Sequence, residues 1–204
     1  MWKNIMLLAI MAVAGTGCMV EPLLNPPVGD AKELDSETNR ALIGKWKTEF
    51  NQAVYTGEAV WVRDDKGKSL EFLQITATAT RKNECKKLVP LIGGAFKIDN
   101  DMYLVLCADV KKLVDQGQYA EDSMWLLRPN FFVGKLTPDG TNFKLEWINF
   151  FEKVKNNAGE EIDAPIADIA KKESNLVVNT TLELQKMLKE KKYKLQPPAA
   201  LQRQ

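Results

Sequence analysis

The sequence predicts a mostly β chain: an antiparallel meander that closes into a barrel or bends as a curved sheet, with a short lead-in helix and a C-terminal helix. Three observations carry this expectation. Apolar residues recur with period two in AVWVR (59–63) and SLEFLQITATAT (69–80), the spacing of half-buried strands. Turn chemistry punctuates such runs, at Asp64-Asp65-Lys66-Gly67 and again at Pro138-Asp139-Gly140. Segments 86–92 and 102–108 are apolar on both faces, as strands covered on two sides are.

The elements follow in chain order. After Met-Trp-Lys-Asn the chain is apolar from Ile5 to Ala14 and then meets Gly15, Thr16 and Gly17, the layout of a secretory signal peptide over residues 1–17. An apolar run of about ten residues at ~1.5 Å each covers roughly half of a ~30 Å hydrocarbon core, too little for a permanent span. Small residues directly before Cys18 resemble the bacterial lipoprotein signal, in which a peptidase cuts ahead of the cysteine and the cysteine carries the lipid. Gly15 stands where that family usually has Leu or another larger aliphatic residue. The other reading is an ordinary signal peptide that contains a cysteine. The resemblance implies a membrane-anchored lipoprotein, attached through acyl chains such as palmitate on Cys18. Met19, rather than Asp, after the cysteine points to the outer membrane of a bacterial cell envelope, with the domain in the periplasm or on the surface. Each buried CH₂ of an anchor contributes about 0.8 kcal/mol, so several chains hold firmly. Residues 18–34 then read as the lipidated cysteine and a flexible tether, rich in proline and without periodicity.

Residues 35–195 form a single β-rich domain. Asp35 and Ser36 are helix caps, and Leu42 and Ile43 lead toward a core, so a short helix precedes the first strand, GKWKTEF. In the strand after the Asp64–Gly67 turn, Leu73, Ile75, Ala77 and Ala79 share one face that narrows from large to small, as the interior of a small barrel does. Met102, Leu104 and Leu106 alternate with Tyr103, Val105 and Cys107. Residues 110–121 interrupt the strands with a polar loop or helical turn. Strands near 123–128, 131–137 and 142–149 follow, with Phe143, Leu145 and Trp147 pointing inward. Beyond Phe150 the pattern becomes helical or irregular through Lys172, and residues 175–179 make a last short strand. Thr180-Thr181-Leu182-Glu183 is a capping box that starts a helix with Leu184, Met187 and Leu188 on its apolar stripe. Residues 196–204 read as a disordered tail.

Gly44-Lys45-Trp46 at the start of the first strand resembles the Gly-X-Trp motif of lipocalins, whose tryptophan plugs the closed end of an eight-stranded barrel. GKLTPDGTNFKLEWIN and LVVNTTLELQKML are similar to segments of uncharacterised bacterial lipoproteins, over residues 42–190. This resemblance implies a lipocalin-like domain and brings no activity with it. Two departures from lipocalins stand out: no Arg falls on the last strand to stack on Trp46, and the helix follows the final strand.

Composition narrows the function classes. The 204 residues carry 28 Lys and Arg against 27 Asp and Glu, a formal charge of +1, and removing residues 1–17 takes Lys3 with it, so no basic excess points to nucleic acid. Histidine is absent, which removes Ser-His and Cys-His nucleophiles and the usual histidine metal ligands. Zinc held by cysteines alone needs about four thiolates, so neither a metal nor a cofactor is expected. Cys85 and Cys107 are a candidate disulfide in an oxidising compartment, provided that a hairpin around GGAFKIDND places them opposite each other. A turn centred on Asp99-Asn100 separates them instead.

The expected function is a non-catalytic binding module for a hydrophobic small molecule or lipid. Its cavity candidates are Trp46, Trp61, Phe72, Tyr103, Trp125, Phe132 and Trp147, although aromatics at alternating strand positions also serve plain core packing. The alternative is an envelope interaction, assembly or inhibitor lipoprotein with a filled core. In it the rim loops or lysines 186, 189, 191 and 192 make contact, with a protein or with anionic headgroups. An enzyme would have to use carboxylates such as Glu160, Glu161 and Asp163, in a hydrophilic stretch without a nucleophile motif, and none is expected.

Overall fold

The eight strands of the barrel each find a neighbour on both sides, and their order closes on itself. The structure is a computed structural model that describes residues 23, 25–28, 34–50, 53–63, 71–81, 84–115, 130–173 and 176–204. The signal sequence, Cys18, most of the tether, the Asp64–Gly67 turn, residues 116–121 and the segment 123–128 with Trp125 lie outside the described residues.

Helix α1 (Ser36–Leu42) opens the domain, and β1 (Gly44–Phe50), β2 (Ala53–Arg63) and β3 (Glu71–Arg81) follow. Next come β4 (Glu84–Lys87), β5 (Leu91–Ile98), β6 (Asp101–Ala108) and the short helix α2 (Val110–Asp115). Strands β7 (Phe131–Asp139) and β8 (Asn142–Asn149) precede two small pairs, β9 (Phe151–Lys155) with β10 (Glu161–Pro165) and β11 (Lys172–Glu173) with β12 (Leu176–Val177). Helix α3 (Thr181–Lys189), β13 (Lys194–Leu195) and β14 (Ala199–Arg203) complete the chain. Antiparallel neighbours run β1-β2-β3-β5-β6-β7-β8-β14, and β14 pairs back onto β1, giving a closed lipocalin-like barrel of eight strands.

Two edges of this barrel are single ladders broken at proline. β3 pairs with β4 through residues 78–81 and with β5 through 73–75, and between them Leu88 N–H donates to Ala77 O at 2.9 Å. Pro90, which has no N–H to offer, stands at the break. Likewise β8 pairs with β13 at Ile148 and Asn149 and with β14 at residues 143–145, while Gln196 N–H donates to Trp147 O at 2.8 Å ahead of Pro197-Pro198.

Several expectations are corrected. Residues 196–204 are not a disordered tail: residues 199–203 are the strand that closes the barrel, and they gain a ladder on each side, to β8 and β1, which a short segment needs. Helix α3 therefore precedes the final strand rather than following it. Segment 86–92 is not one strand, and GGAFKI belongs to β5 instead of a loop. The β5–β6 turn is Asp99-Asn100, with Asp99 at φ 53°, a conformation that Asp tolerates. Within β5, Gly93 is required opposite Leu106, because a Cβ would lie 1.9 Å from Val105 O on the facing strand. Beyond Phe150 the chain forms the β9–β10 hairpin, turned by Asn156, whose side chain accepts from the Ala158 and Glu160 N–H groups at 2.9 and 3.0 Å.

The alternation on β6 builds two cores. Leu104 and Leu106 join Trp46, Leu73, Leu136, Leu145 and Trp147 inside the barrel. Tyr103 and Val105 face the other way, under Leu184, Met187 and Leu188 of α3, all three fully buried. The helix is started by the expected capping box, with Thr180 and Glu183 bonding each other's backbone N–H groups. Lys171, followed by those capping bonds, pulls the Glu183 carboxyl down to about 2.

Candidate functional site

The closed end of the barrel is assembled first by α1. Asp35 caps it, accepting from Thr38 N–H at 2.9 Å, and Asn39, fully buried, exchanges hydrogen bonds with the Ala95 backbone at 3.1 and 2.8 Å. These bonds seat α1 against β5, so Leu42 arrives next to Trp46. The Trp46 indole N–H donates to Leu42 O at 2.7 Å, and its ring meets Phe143 edge-on at 5.8 Å. From β14, the Arg203 guanidinium lies 5.6 Å over the Trp46 ring and donates to Ile43 O at 2.8 Å. An arginine on the last strand thus stacks on Trp46, and both departures from the lipocalin arrangement disappear, because the arginine lies on β14.

Above that floor lies an apolar cavity of about 160 Å³. Its origin is a difference in side-chain size between two walls. On the inner face of β2 and β3, Gly57 opposes Ala77 and Ala59 opposes Ile75. Across the barrel, Leu104, Leu106 and Leu145 reach toward them and leave the missing volume empty. The taper from Leu73 and Ile75 to Ala77 is part of this wall. Two larger concavities sit on the outside of the barrel. One, of about 470 Å³, is an open polar trough between β1 and β4, and the other, of about 240 Å³, is a groove beside Gly93 and Phe72. Both open more widely to solvent than the inner cavity, and a small ligand gains most where it leaves the most water behind.

The aromatic candidates divide. Trp46, Phe132 and Trp147 belong to the inner core, and of these Trp46 borders the cavity. Phe72 is corrected: one residue from Leu73, it takes the opposite face and lines the outer groove. Tyr103 is corrected too. It sits in the outer core, stacked on Phe96 at 5.5 Å, with its hydroxyl 3.2 Å from that of Tyr193; burial, then that neighbour, raises its pKa. Trp61 lies opposite Leu73 in the β2–β3 register, and Trp125 is outside the described residues.

Two polar residues enter the lining that no motif announced. Thr48 and Tyr55 face each other across β1 and β2 and both border the cavity. The Tyr55 phenol is pushed up by burial, with Arg81 opposing. The Thr48 hydroxyl is buried without a hydrogen-bond partner, a condition that costs on the order of 1–3 kcal/mol. Lys47, between the inward-facing Trp46 and Thr48, points away from the barrel interior and turns its ammonium to Glu49 at 2.7 Å. The only advance signal was parity: Thr48 and Tyr55 share the inward phase with Trp46 and Ala59.

Other candidate chemistry is dispersed. Cys85 on β4 is exposed and opposite Thr80, while Cys107 is buried and opposite Ile92, so the disulfide is not formed: the Asp99-Asn100 turn sets the separating register. Burial, then Asp109, pushes the Cys107 thiol up to about 11. Asp163 bonds Lys153 of β9 at 2.6 Å and Lys172 of β11 at 2.8 Å, and Glu160 accepts from Asn156 at 3.0 Å, with both carboxylates on the β9–β10 hairpin outside the barrel. Lys186 and Lys192 pair with Glu190, Lys189 with Asp99, and Lys191 with Asp101. Among the described residues no cluster of three or more His, Cys, Asp or Glu is arranged to hold a metal ion, and no helix is long and apolar enough to cross a membrane.

Fold and site together define a closed eight-stranded barrel with a small apolar chamber above a tryptophan floor. No family model, no curated protein and no solved structure matches the chain.

Proposed function

We propose that the protein is a membrane-anchored lipoprotein of a bacterial cell envelope, lipidated on Cys18, whose barrel is a non-catalytic binding module for a small hydrophobic molecule. The observation that carries the binding half is the cavity of about 160 Å³, walled mainly by aliphatic side chains. A dry apolar chamber of roughly 150 Å³ holds one benzene ring, so this space takes a single ring or a short alkyl segment. The anchoring half rests on the small residues before Cys18 after a short apolar run.

Native mass spectrometry of the protein extracted from its own membrane tests the first half. A retained mass of a small organic molecule is expected, and a clean apo mass together with no binding of added toluene would refute it. For the second half, Cys18→Ser should move the protein from the membrane fraction to the soluble envelope fraction. Unchanged fractionation would sink the anchor.

A further inference from the structure

The chain is gripped by the domain soon after Cys18. Leu23 is fully buried, exchanges backbone hydrogen bonds with Phe131 at 2.8 and 3.0 Å, and bridges to Val177 of β12. Two more bonds hold the following residues along α3. Thr181 Oγ1 donates to Pro26 O at 2.8 Å, and Gln185 Nε2 donates to Pro27 O at 2.9 Å. From Cys18 to Leu23 the chain advances by five positions, and at no more than ~3.6 Å per residue it reaches about 18 Å. A domain of this length is about 40 Å across. A leash that short presents to a bilayer only the side of the domain on which Leu23 is seated.

On that side stands Leu182. It is the most exposed large apolar side chain among the described residues, at 76%, against 45% for Ile162 and 40% for Val60. Its neighbour Thr181 is the residue that bonds Pro26. Helix α3 turns Leu184, Met187 and Leu188 into the core, which leaves Leu182, Lys186 and Lys189 together on its outward face. Single exposed leucines are ordinary on a protein surface. This one adjoins the root of the anchor, and an apolar tip backed by lysines suits the boundary between headgroups and acyl chains. The lysines are also free to turn: Lys186 lies 3.9 Å from Glu190 and Lys189 lies 3.9 Å from Asp99, too long for hydrogen bonds.

We propose, resting on the anchor reading above, that the outward face of α3 is a membrane-contact surface: Leu182 enters the headgroup region of the anchoring leaflet and Lys186 and Lys189 meet its phosphates. The barrel then sits in one orientation. Helix α3 packs over Val133 of β7, and β2 stands across the ring of strands from β7, so the outer face of β2 points away from the bilayer.

The full-length lipidated protein, with Cys85→Ser to remove the exposed thiol, carries an environment-sensitive fluorophore at Lys186→Cys or, as the control, at Glu58→Cys on the outer face of β2. Each is reconstituted into vesicles of phosphatidylcholine and phosphatidylglycerol that contain a nitroxide-labelled lipid. Quenching should be at least about threefold stronger at position 186 than at position 58, and Leu182→Asp should bring it down to the control level. Leu182 is exposed, so this variant keeps the fold. Equal quenching at the two positions, or quenching at 186 that Leu182→Asp leaves unchanged, would overturn the contact surface while the anchor stands. A Cys18 without acyl mass, in a protein that does not float with the vesicles, would overturn the anchor reading itself and this proposal with it.

Discussion

Arg203 ties the last strand of the barrel to its floor, and replacing it with methionine tests how much that tie contributes. Methionine keeps an apolar stem and deletes the guanidinium, with its 2.8 Å bond to Ile43 O and its place 5.6 Å over the Trp46 ring. A hydrogen bond from a charged donor contributes about 1.5–3 kcal/mol, and an exposed cation–π contact about 0.5–1 kcal/mol. Arg203 is exposed, so both sit at their low ends and the expected loss is about 2 kcal/mol. For a chain of this size about 2–4 °C of melting temperature accompanies each kcal/mol, which gives a drop of about 4–8 °C. Urea unfolding of wild type, Arg203→Met, Trp46→Leu and the double variant then separates the ring contact from the carbonyl bond. The bond to Ile43 survives in Trp46→Leu, so the coupling energy reports the stacking alone, about 0.5–1 kcal/mol. A melting shift below about 1 °C, or a coupling under about 0.3 kcal/mol, would show that Arg203 closes nothing.

Three further outcomes follow from the same geometry. Ala77→Leu places extra carbons in the chamber opposite Gly57; toluene binding should weaken at least about tenfold while stability holds or rises by about 0.5–2 kcal/mol, measured by titration and melting. Unchanged binding would move the site elsewhere. Gly93→Ala drives a Cβ to 1.9 Å from Val105 O, so β5 and β6 must separate, at a cost of about 1–3 kcal/mol in urea unfolding; a silent substitution would refute the close approach. The Asp101 carboxyl is held below its usual 3.8 by the Lys135 hydrogen bond, then by Lys191. A lowered folded-state value means that its stabilisation is present above about pH 4 and lost as pH falls through the folded value. The melting difference between wild type and Asp101→Asn should therefore be present at pH 6 and shrink toward pH 2, and a constant difference would refute the linkage.

How much of this was legible depended on whether a segment's reason to fold lay within it. Phe143, Leu145 and Trp147 alternate cleanly around Pro138-Asp139-Gly140, and the Thr180–Glu183 box starts α3 from local bonds alone. Gly44-Lys45-Trp46 marked the floor for the same reason. AALQR lacks any such pattern: it becomes a strand because β8 and β1 each offer an unpaired edge, and both of those edges lie far from it in the sequence. Phe72 falls outside by parity alone, since its neighbour Leu73 faces inward; the placement of Tyr103 failed for a different reason. Where α3 covers the outer wall, both faces of a strand are apolar, so hydrophobicity no longer says which way is in. Thr48 escaped notice because a lone threonine on a strand is ordinary until its neighbours leave its hydroxyl unpaired.

The pairing of β14 with β1 also orders events in time. Arg203 and Ile43 are separated by 160 positions, so the seam joins nearly the first strand of the domain to the last. Until residues 199–203 have been made, β1 and β8 are bare edges that can recruit a strand from another copy. Closure is thus a late, long-range step, slower than the formation of the hairpins that precede it. Until residues 199–203 pair with both edges, the growing chain is an unsealed sheet that is vulnerable to strand exchange.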